Sequence, residues 1–231
     1  MNRIRKSIQK HLNVWYAVTV CIIILAILTI IYMTSDNREY NKFNFTESLD
    51  ETAFEINDTK ITLKEAAYYI MVIESNVHGA AIEYNTNNPR EYWNVYLNDG
   101  EGNSNFLSGQ AKEDAMNACI RDGIYYIEAL NAGITLSDEE KKQCAEDASE
   151  EEKLLTGKQV QVTQYEYKDM YHIIEKIALV KKYVNTLMEK GYTAEQLDFG
   201  GEYYEELKKG YDVKINEEMW ENISLGKLTI N

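Results

Sequence analysis

Hydrophobic and polar positions along the chain predict one long apolar helix followed by a mostly helical domain. Residues 14–33 read VWYAVTVCIIILAILTIIYM and carry no charge. At a helical rise of about 1.5 Å per residue, a run of this length spans about 30 Å, the thickness of a bilayer core. We therefore predict a single transmembrane helix over 14–33.

The charges that flank this run predict its direction. Four cationic side chains precede it and belong to Arg3, Arg5, Lys6 and Lys10, whereas Asp36, Arg38 and Glu39 lie soon after it. The positive-inside rule places the basic tail 1–13 in the cytoplasm and the rest of the chain outside. A cleaved signal peptide would need a small-x-small site, but the run ends in bulky residues, so an uncleaved anchor is the favoured interpretation.

Beyond the anchor, the pattern separates a tether from a domain. Residues 34–52 are polar and charged and follow neither a helical nor a strand period, so we predict a tether there. The domain then covers 53–231. Its two ends each carry a short alternating stretch, 53–57 and 211–215, and we predict that the two pair as a small two-stranded β element.

Helix start and stop signals divide the region between these strands. Capping boxes begin at Thr62, Ser137 and Thr163, each with a Glu three residues later, and Gly133 and Gly191 are placed to end helices. The apolar positions between these signals predict the buried faces. For the first helix they are Leu63, Ala66, Ala67, Ile70, Met71 and Val77. For the second they are Ala111, Ala115, Ala118, Ala129, Leu130 and one of Tyr125 and Tyr126. For the longest they are Met170, Tyr171, Ile174, Ile177, Ala178, Lys181, Val184, Leu187 and Met188.

Composition supports a fold that is all-α dominated and excludes one class of function. The chain has a single proline, Pro89, and helix formers are abundant. Its 38 acidic residues against 24 basic ones give a formal net charge of −14, which is unfavourable for binding nucleic acid. We therefore predict no nucleic-acid partner.

Catalytic and metal-binding motifs are missing from the sequence. It contains no phosphate-binding Gly-rich loop, HExxH or GxSxG pattern, and the acidic runs 138–140 and 150–152 lack EF-hand spacing. We therefore predict no catalytic residue, metal or cofactor. Cys119 and Cys144 lie on helices that flank a short turn, so a disulfide between them stays open at this point.

Aromatic residues are the feature that points to a binding function. Eighteen tyrosines and three tryptophans exceed what a small core needs. A tyrosine ring offers an apolar face and a polar tip, which suit contact with extended, partly apolar peptides. The predicted peptide-contacting residues are Tyr68, Tyr69, Tyr92, Trp93, Tyr96, Tyr126, Tyr167 and Tyr171.

The order of motifs resembles the chaperone domain of the SurA and PrsA foldases. A short strand leads into an I-T-x-x-E helix start at Ile61, Thr62 and Glu65, and an Ala-rich helix later joins A-x-x-x-G-I-x-x-S-x-E-E from Ala129 to Glu140. The resemblance covers about 53–223 and implies an extracytoplasmic chaperone with a helical cradle. Many members carry a parvulin insert with a His-Ile-Leu opening and a Gly-Gly-x-Leu-Gly turn. His172-Ile173-Ile174 and Gly200-Gly201 resemble these two signatures superficially, but only 27 residues separate His172 from Gly200, too few for the insert.

Three hypotheses follow from the sequence and the resemblance. The leading one is a membrane-anchored extracytoplasmic chaperone that binds unfolded or extended segments of exported proteins and has no isomerase activity. The first alternative is a structural or regulatory subunit that docks a folded partner in an envelope complex, and a homodimer is also open. The second alternative is a peptidyl-prolyl isomerase related to the parvulin family.

Overall fold

The compact part of the described chain begins before 53–57, the first strand that the sequence predicts. A computed structural model describes residues 43–98 and 104–230, so the predicted tail 1–13 and transmembrane helix 14–33 lie outside the described residues. Within the described ranges, no helix has both the length and the hydropathy needed to cross a bilayer. The compact unit starts at Asn44, inside the segment predicted as a tether.

Residues at the end of that predicted tether pack on the domain. The side chains of Phe45 and Leu49 are buried. The backbone carbonyl of Leu49 accepts a hydrogen bond from the Lys64 amide, and that of Glu51 accepts one from the Leu63 amide, each at 2.8 Å. These amides belong to the first turn of a helix and have no partner within it. The segment therefore completes the start of that helix.

A three-stranded antiparallel sheet joins the two ends of the domain. Its strands are β1 (Thr52–Ile56), β2 (Thr59–Thr62) and a late strand Val213–Ile215, in the order β2, β1, late strand. The predicted pairing of the two ends is confirmed, with Phe54 opposite Ile215. The sheet has one strand more than predicted, because the chain reverses over only two residues, with Asn57 in the left-handed region at φ 51°.

The first helix, α1 (Leu63–Tyr84), buries most of its predicted face. Leu63, Ala66, Ala67, Ile70 and Met71 are buried, whereas Val77 is only half-buried. The Thr62 hydroxyl accepts a hydrogen bond from the Glu65 amide as the capping box predicts. The Glu65 carboxylate does not return to the cap, because it pairs with a lysine from another helix.

The region from 85 to 106, predicted to be loose, contains short regular elements. A 3-10 helix covers Pro89–Asn94, and strands β3 (Tyr96–Asn98) and β4 (Ser104–Phe106) form an antiparallel hairpin. The helix α2 (Leu107–Asn131) follows directly. It ends as predicted at Gly133, whose φ is 68°, and the Ile134 amide donates to the Ala129 carbonyl in the Schellman pattern.

Helix α3 (Asp138–Leu154) starts at the predicted capping box, but the next predicted box is wrong. Ser137 and Glu140 bond reciprocally at the start of α3. Thr163 instead ends a short helix, α4 (Gly157–Thr163), and its hydroxyl donates to the Gln159 carbonyl. The long helix α5 (Tyr167–Glu189) starts only after Gln164 takes a left-handed conformation, with Glu166 and Asp169 forming its own box.

Three short helices and the late strand complete the described chain. They are α6 (Ala194–Leu197), α7 (Glu202–Lys208), β5 (Val213–Ile215) and α8 (Glu217–Asn222). Helix α5 packs against both α2 and α3 and is the centre of the helical layer, as the sequence predicts. The last residues, 224–230, which we call the closing segment, lie near α1 and α4 and have Leu225, Thr229 and Ile230 buried.

Candidate functional site

The eight predicted aromatic residues are distributed over several parts of the fold. Tyr69 and Trp93 are buried, whereas Tyr96 and Tyr167 are exposed. Most of the eight contact another aromatic ring, in the pairs Tyr68–Tyr69, Tyr92–Tyr84, Tyr96–Phe106 and Tyr167–Tyr171. Of the eight, Tyr68 alone lines either of the two grooves that flank α5.

The larger groove, which we call the α3–α5 groove, has a volume of about 550 Å³. Its floor is apolar and includes Leu136, Ile174 and Ile177. One wall is acidic, because α3 contributes Glu140, Asp147, Glu150 and Glu151. The groove therefore offers apolar contact beside a negatively charged wall.

One end of this groove is closed by an ion pair. The Lys182 Nζ lies 2.7 Å from Glu140 Oε2 and also donates to the Thr135 carbonyl at 3.0 Å. The Lys182 ammonium is the main reason that the pKa of Glu140 falls from 4.5 to about 2, and the Ser137 amide and hydroxyl add to this effect. The ion pair thus joins the start of α3 to α5.

Acid should weaken this connection. Because the folded-state pKa of Glu140 is below its unfolded value, the stability that its carboxylate contributes is complete above about pH 4.5 and is lost as the pH falls toward 2. In urea unfolding measured from pH 6 to pH 2, Glu140→Gln should therefore approach the wild type as the pH falls. Glu139→Gln, which changes an exposed neighbour, should follow the wild-type pH dependence. A constant gap between Glu140→Gln and the wild type would contradict the assignment.

The other end of the α3–α5 groove contains the predicted residue Tyr68. Its hydroxyl donates to Glu151 Oε2 at 3.3 Å. Burial, together with the Glu151 carboxylate, raises the pKa of the Tyr68 hydroxyl, and burial also raises the pKa of Glu151. Both groups therefore stay protonated over a wider pH range than usual.

The second groove, which we call the α2–α5 groove, has a volume of about 330 Å³ and is more apolar. Its lining residues include Tyr125, Val180, Val184, Met188 and Leu197. At its rim, Arg121 pairs with Asp122 at 3.0 Å and also with Asp198. The Tyr125 hydroxyl donates to the Leu197 carbonyl at 2.7 Å and fixes α6 beside the groove.

The two grooves share Ile177 and Lys181 on α5. Between Ile174 and Met188, α5 therefore presents one partly uncovered surface, which we call the α5 strip. At about 1.5 Å per residue the strip is about 21 Å long, enough for about six residues of an extended peptide. Lys181 has no ion-pair partner within the described residues.

The hydrophobic pattern of the sequence predicts that the α5 strip is part of the core. The predicted buried stripe of the longest helix included Ile177, Val184 and Met188, but Met188 is 46% exposed and the other two are half-buried. The helix carries more apolar positions than a single buried face needs, and this width was the available signal. Tyr171, also in that stripe, is only half-buried.

The sequence also does not predict a buried charged group on α5, Lys176, which contacts residues of α1 and α2. Lys176 is 6% exposed, pairs with Glu65 and lies 4.9 Å from the centre of the Tyr126 ring. The neighbouring Asp122 accepts a hydrogen bond from the Tyr69 hydroxyl at 3.1 Å. Burial raises the pKa of Asp122, an effect that Arg121 partly offsets.

The described cysteines and acidic residues show no arrangement for redox or metal chemistry. Cys119 and Cys144 are both buried and are not bonded to each other. Burial raises the pKa of the Cys119 thiol, so it is a poor nucleophile. Among the described residues, no group of three or more His, Cys, Asp or Glu side chains is placed to hold a metal ion.

Comparison with known proteins does not assign the chain to a family. No family of proteins, no curated protein and no solved structure gives a match.

Proposed function

We propose that this protein is a membrane-anchored extracytoplasmic chaperone that holds unfolded or extended segments of exported proteins. The observation that carries the proposal is the α5 strip, an apolar helix surface left partly uncovered between two grooves. Helix faces of this width are normally covered in a globular domain, and uncovered ones mark binding surfaces. The predicted anchor at 14–33 would keep the site at the membrane, where exported chains emerge.

The chemistry of the strip suits brief, sequence-tolerant binding. An apolar side chain that is fully buried contributes about 1.5–3 kcal/mol, so a few such contacts on Ile177 and its neighbours offset the cost of ordering a short peptide. The Lys181 ammonium between the grooves can donate to a client carbonyl. The result is moderate affinity, which lets a client leave and fold.

Isomerase activity has less support from the geometry. His172, the histidine of the superficial parvulin signature, is exposed on α5. Gly200 takes φ 78° in the turn that precedes α7. His172 therefore lies on a helix surface, and Gly200 lies in the turn between two helices. A prolyl isomerisation assay with a Pro-containing peptide should show no acceleration by the full chain.

The β3–β4 hairpin favours a second candidate function, docking of one folded partner. Tyr96 is 59% exposed and Phe106 is 52% exposed, and their rings are 5.4 Å apart. Tyr84 and Leu97 are also exposed large apolar residues in this part of the chain. Affinity capture from membranes separates the two functions, because one stoichiometric partner supports docking and many substoichiometric exported chains support the chaperone.

A charge placed on the α5 strip should abolish client holding. Ile177→Glu adds a carboxylate to both grooves, and an apolar client cannot solvate it, so we expect the concentration of protein that suppresses aggregation to rise at least about tenfold. The assay is light scattering of an unfolded client with the full chain in neutral detergent. Circular dichroism should show unchanged helix content, because Ile177 is only half-buried.

The matched control is Leu130→Glu. Leu130 is 51% exposed on α2 and lines neither groove. Leu130→Glu adds the same negative charge as Ile177→Glu but leaves the α5 strip unchanged. Its aggregation suppression should therefore equal that of the wild type. Equal losses in the two variants, or none in Ile177→Glu, would rule out the strip as the client site.

A further inference from the structure

A third cavity lies beside the closing segment, away from α5. Its volume is about 480 Å³. The polar residues that line it include Arg90, Asn94, Ser108, Lys158, Ser224 and Lys227. Three of them are cations, and no acidic residue is among those that line it. This is unusual in a chain whose formal net charge is −14.

None of these three cations has an acidic partner among the described residues, and Lys158 donates to backbone carbonyls instead. Arg90 and Lys227 are exposed, and neither forms an ion pair within the described ranges. The acidic neighbour Glu91 is already occupied, because its two carboxylate oxygens accept from the amide groups of Asn85 and Asn88. The positive charge of the cavity is therefore available to a ligand.

The wall of the cavity is held rigidly. Lys158 Nζ donates to the Lys227 carbonyl at 2.7 Å and to the Ile230 carbonyl. Gly226 takes φ 95° and lies against Trp93, where a Cβ would come within 2.7 Å of the indole ring. The Glu74 carboxylate accepts hydrogen bonds from the backbone amides of Gly226 and Lys227. The backbone of the closing segment is therefore fixed before a ligand binds, which lowers the entropy cost of binding.

We propose that this cavity binds a phosphate group. Phosphate carries up to two charges and several acceptor oxygens, which match Arg90 and Lys227 together with the polar groups of Asn94, Ser108 and Ser224. A carboxylate, with one charge and two oxygens, would use fewer of these donors. The phosphate can belong to a free phosphate compound or to a lipid headgroup. This site is separate from the α5 strip and does not depend on the proposed chaperone function.

Calorimetric titration of the full chain in neutral detergent tests the proposal. Inorganic phosphate should bind, and acetate at the same ionic strength should bind much more weakly. The double variant Arg90→Gln/Lys227→Gln should weaken phosphate binding at least about tenfold, because it removes two charge-assisted contacts. Both side chains are exposed, so the variant should unfold at the wild-type temperature.

The control removes two exposed positive charges elsewhere. Lys60→Gln/Lys190→Gln changes the net charge equally, at two exposed positions that do not line the cavity, and should bind phosphate like the wild type. The proposal is overturned if the wild type does not bind millimolar phosphate, if acetate binds equally well, or if the control loses as much affinity as the cavity variant.

Lipid composition distinguishes the two sources of phosphate. The full chain is placed in phosphatidylcholine nanodiscs and in nanodiscs that also contain phosphatidylglycerol, and each is titrated with inorganic phosphate. Weaker phosphate binding by the wild type in the anionic discs than in the phosphatidylcholine discs identifies a lipid headgroup as the competing ligand. Equal binding in both discs identifies a free phosphate compound.

Discussion

Replacement of Glu74 by alanine should lower the free energy of unfolding by about 4 kcal/mol or more. Glu74 is fully buried in α1, and its carboxylate accepts five hydrogen bonds from the closing segment. Four come from backbone amides of residues 226–229, and the fifth comes from the Thr229 hydroxyl at 2.6 Å. Alanine removes a charged acceptor and leaves several buried donors without a partner, each costing about 1–3 kcal/mol.

Urea denaturation of the full chain, followed by circular dichroism, measures this loss. Glu74→Gln should give an intermediate value, because it keeps one acceptor oxygen but turns an amide group toward backbone donors. Glu83→Ala, at an exposed position of the same helix, should change stability by no more than about 0.5 kcal/mol. Similar losses for Glu74→Ala and Glu83→Ala would show that the carboxylate does not hold the closing segment.

A double-mutant cycle tests the same contact from the other side. Thr229→Val keeps the shape of the side chain and removes the hydroxyl that donates to Glu74. In the wild type this change should cost about 1–2 kcal/mol, and in Glu74→Ala it should cost much less. Additive losses would mean that the two side chains do not interact.

Local motifs that complete themselves within a few residues were predictable from the sequence. The Ser137 box and the glycine stop at Gly133 depend only on neighbours in the chain, and both occur as predicted. The pairing of the two ends of the domain was also predicted, because 53–57 and 211–215 both alternate. The capping box predicted at Thr163 is wrong, although Thr163 and Glu166 have the same spacing as Ser137 and Glu140. A threonine can also occupy the last turn of a helix, where the Thr163 hydroxyl donates to the Gln159 carbonyl.

Individual side-chain contacts between distant segments were not predictable. Glu74 has the local pattern of a solvated helix residue, and its partners lie about 150 positions later in a segment without periodicity. Contacts between distant segments also account for part of the large number of tyrosines. Tyr69 donates to Asp122, Tyr165 donates to the Lys64 carbonyl, and Tyr183 donates to Glu128. Tyrosines that join helices and tyrosines that meet a ligand look alike in a single sequence.

Replacement of Lys176 by alanine should lower the free energy of unfolding by about 3–5 kcal/mol. The side chain of Lys176 is 7% exposed, and that of its partner Glu65 is 14% exposed. Without the ammonium, the Glu65 carboxylate stays in a buried site that also contains Asp122 and loses its only ion-pair partner among the described residues. Thermal and urea unfolding of the full chain measure the loss.

Two further variants separate the ion pair from simple packing. Lys181→Ala removes a lysine from the same helix at an exposed position, and it should change stability by no more than about 0.5 kcal/mol. Lys176→Met/Glu65→Leu replaces both charges with apolar groups of similar size and should recover most of the stability, because no buried charge remains unpaired. A double variant as unstable as Lys176→Ala would mean that the unpaired Glu65 carboxylate does not cause the loss. Recovery would mean that the unpaired carboxylate causes the loss, and client holding by the recovered variant should equal that of the wild type because the α5 strip is unchanged.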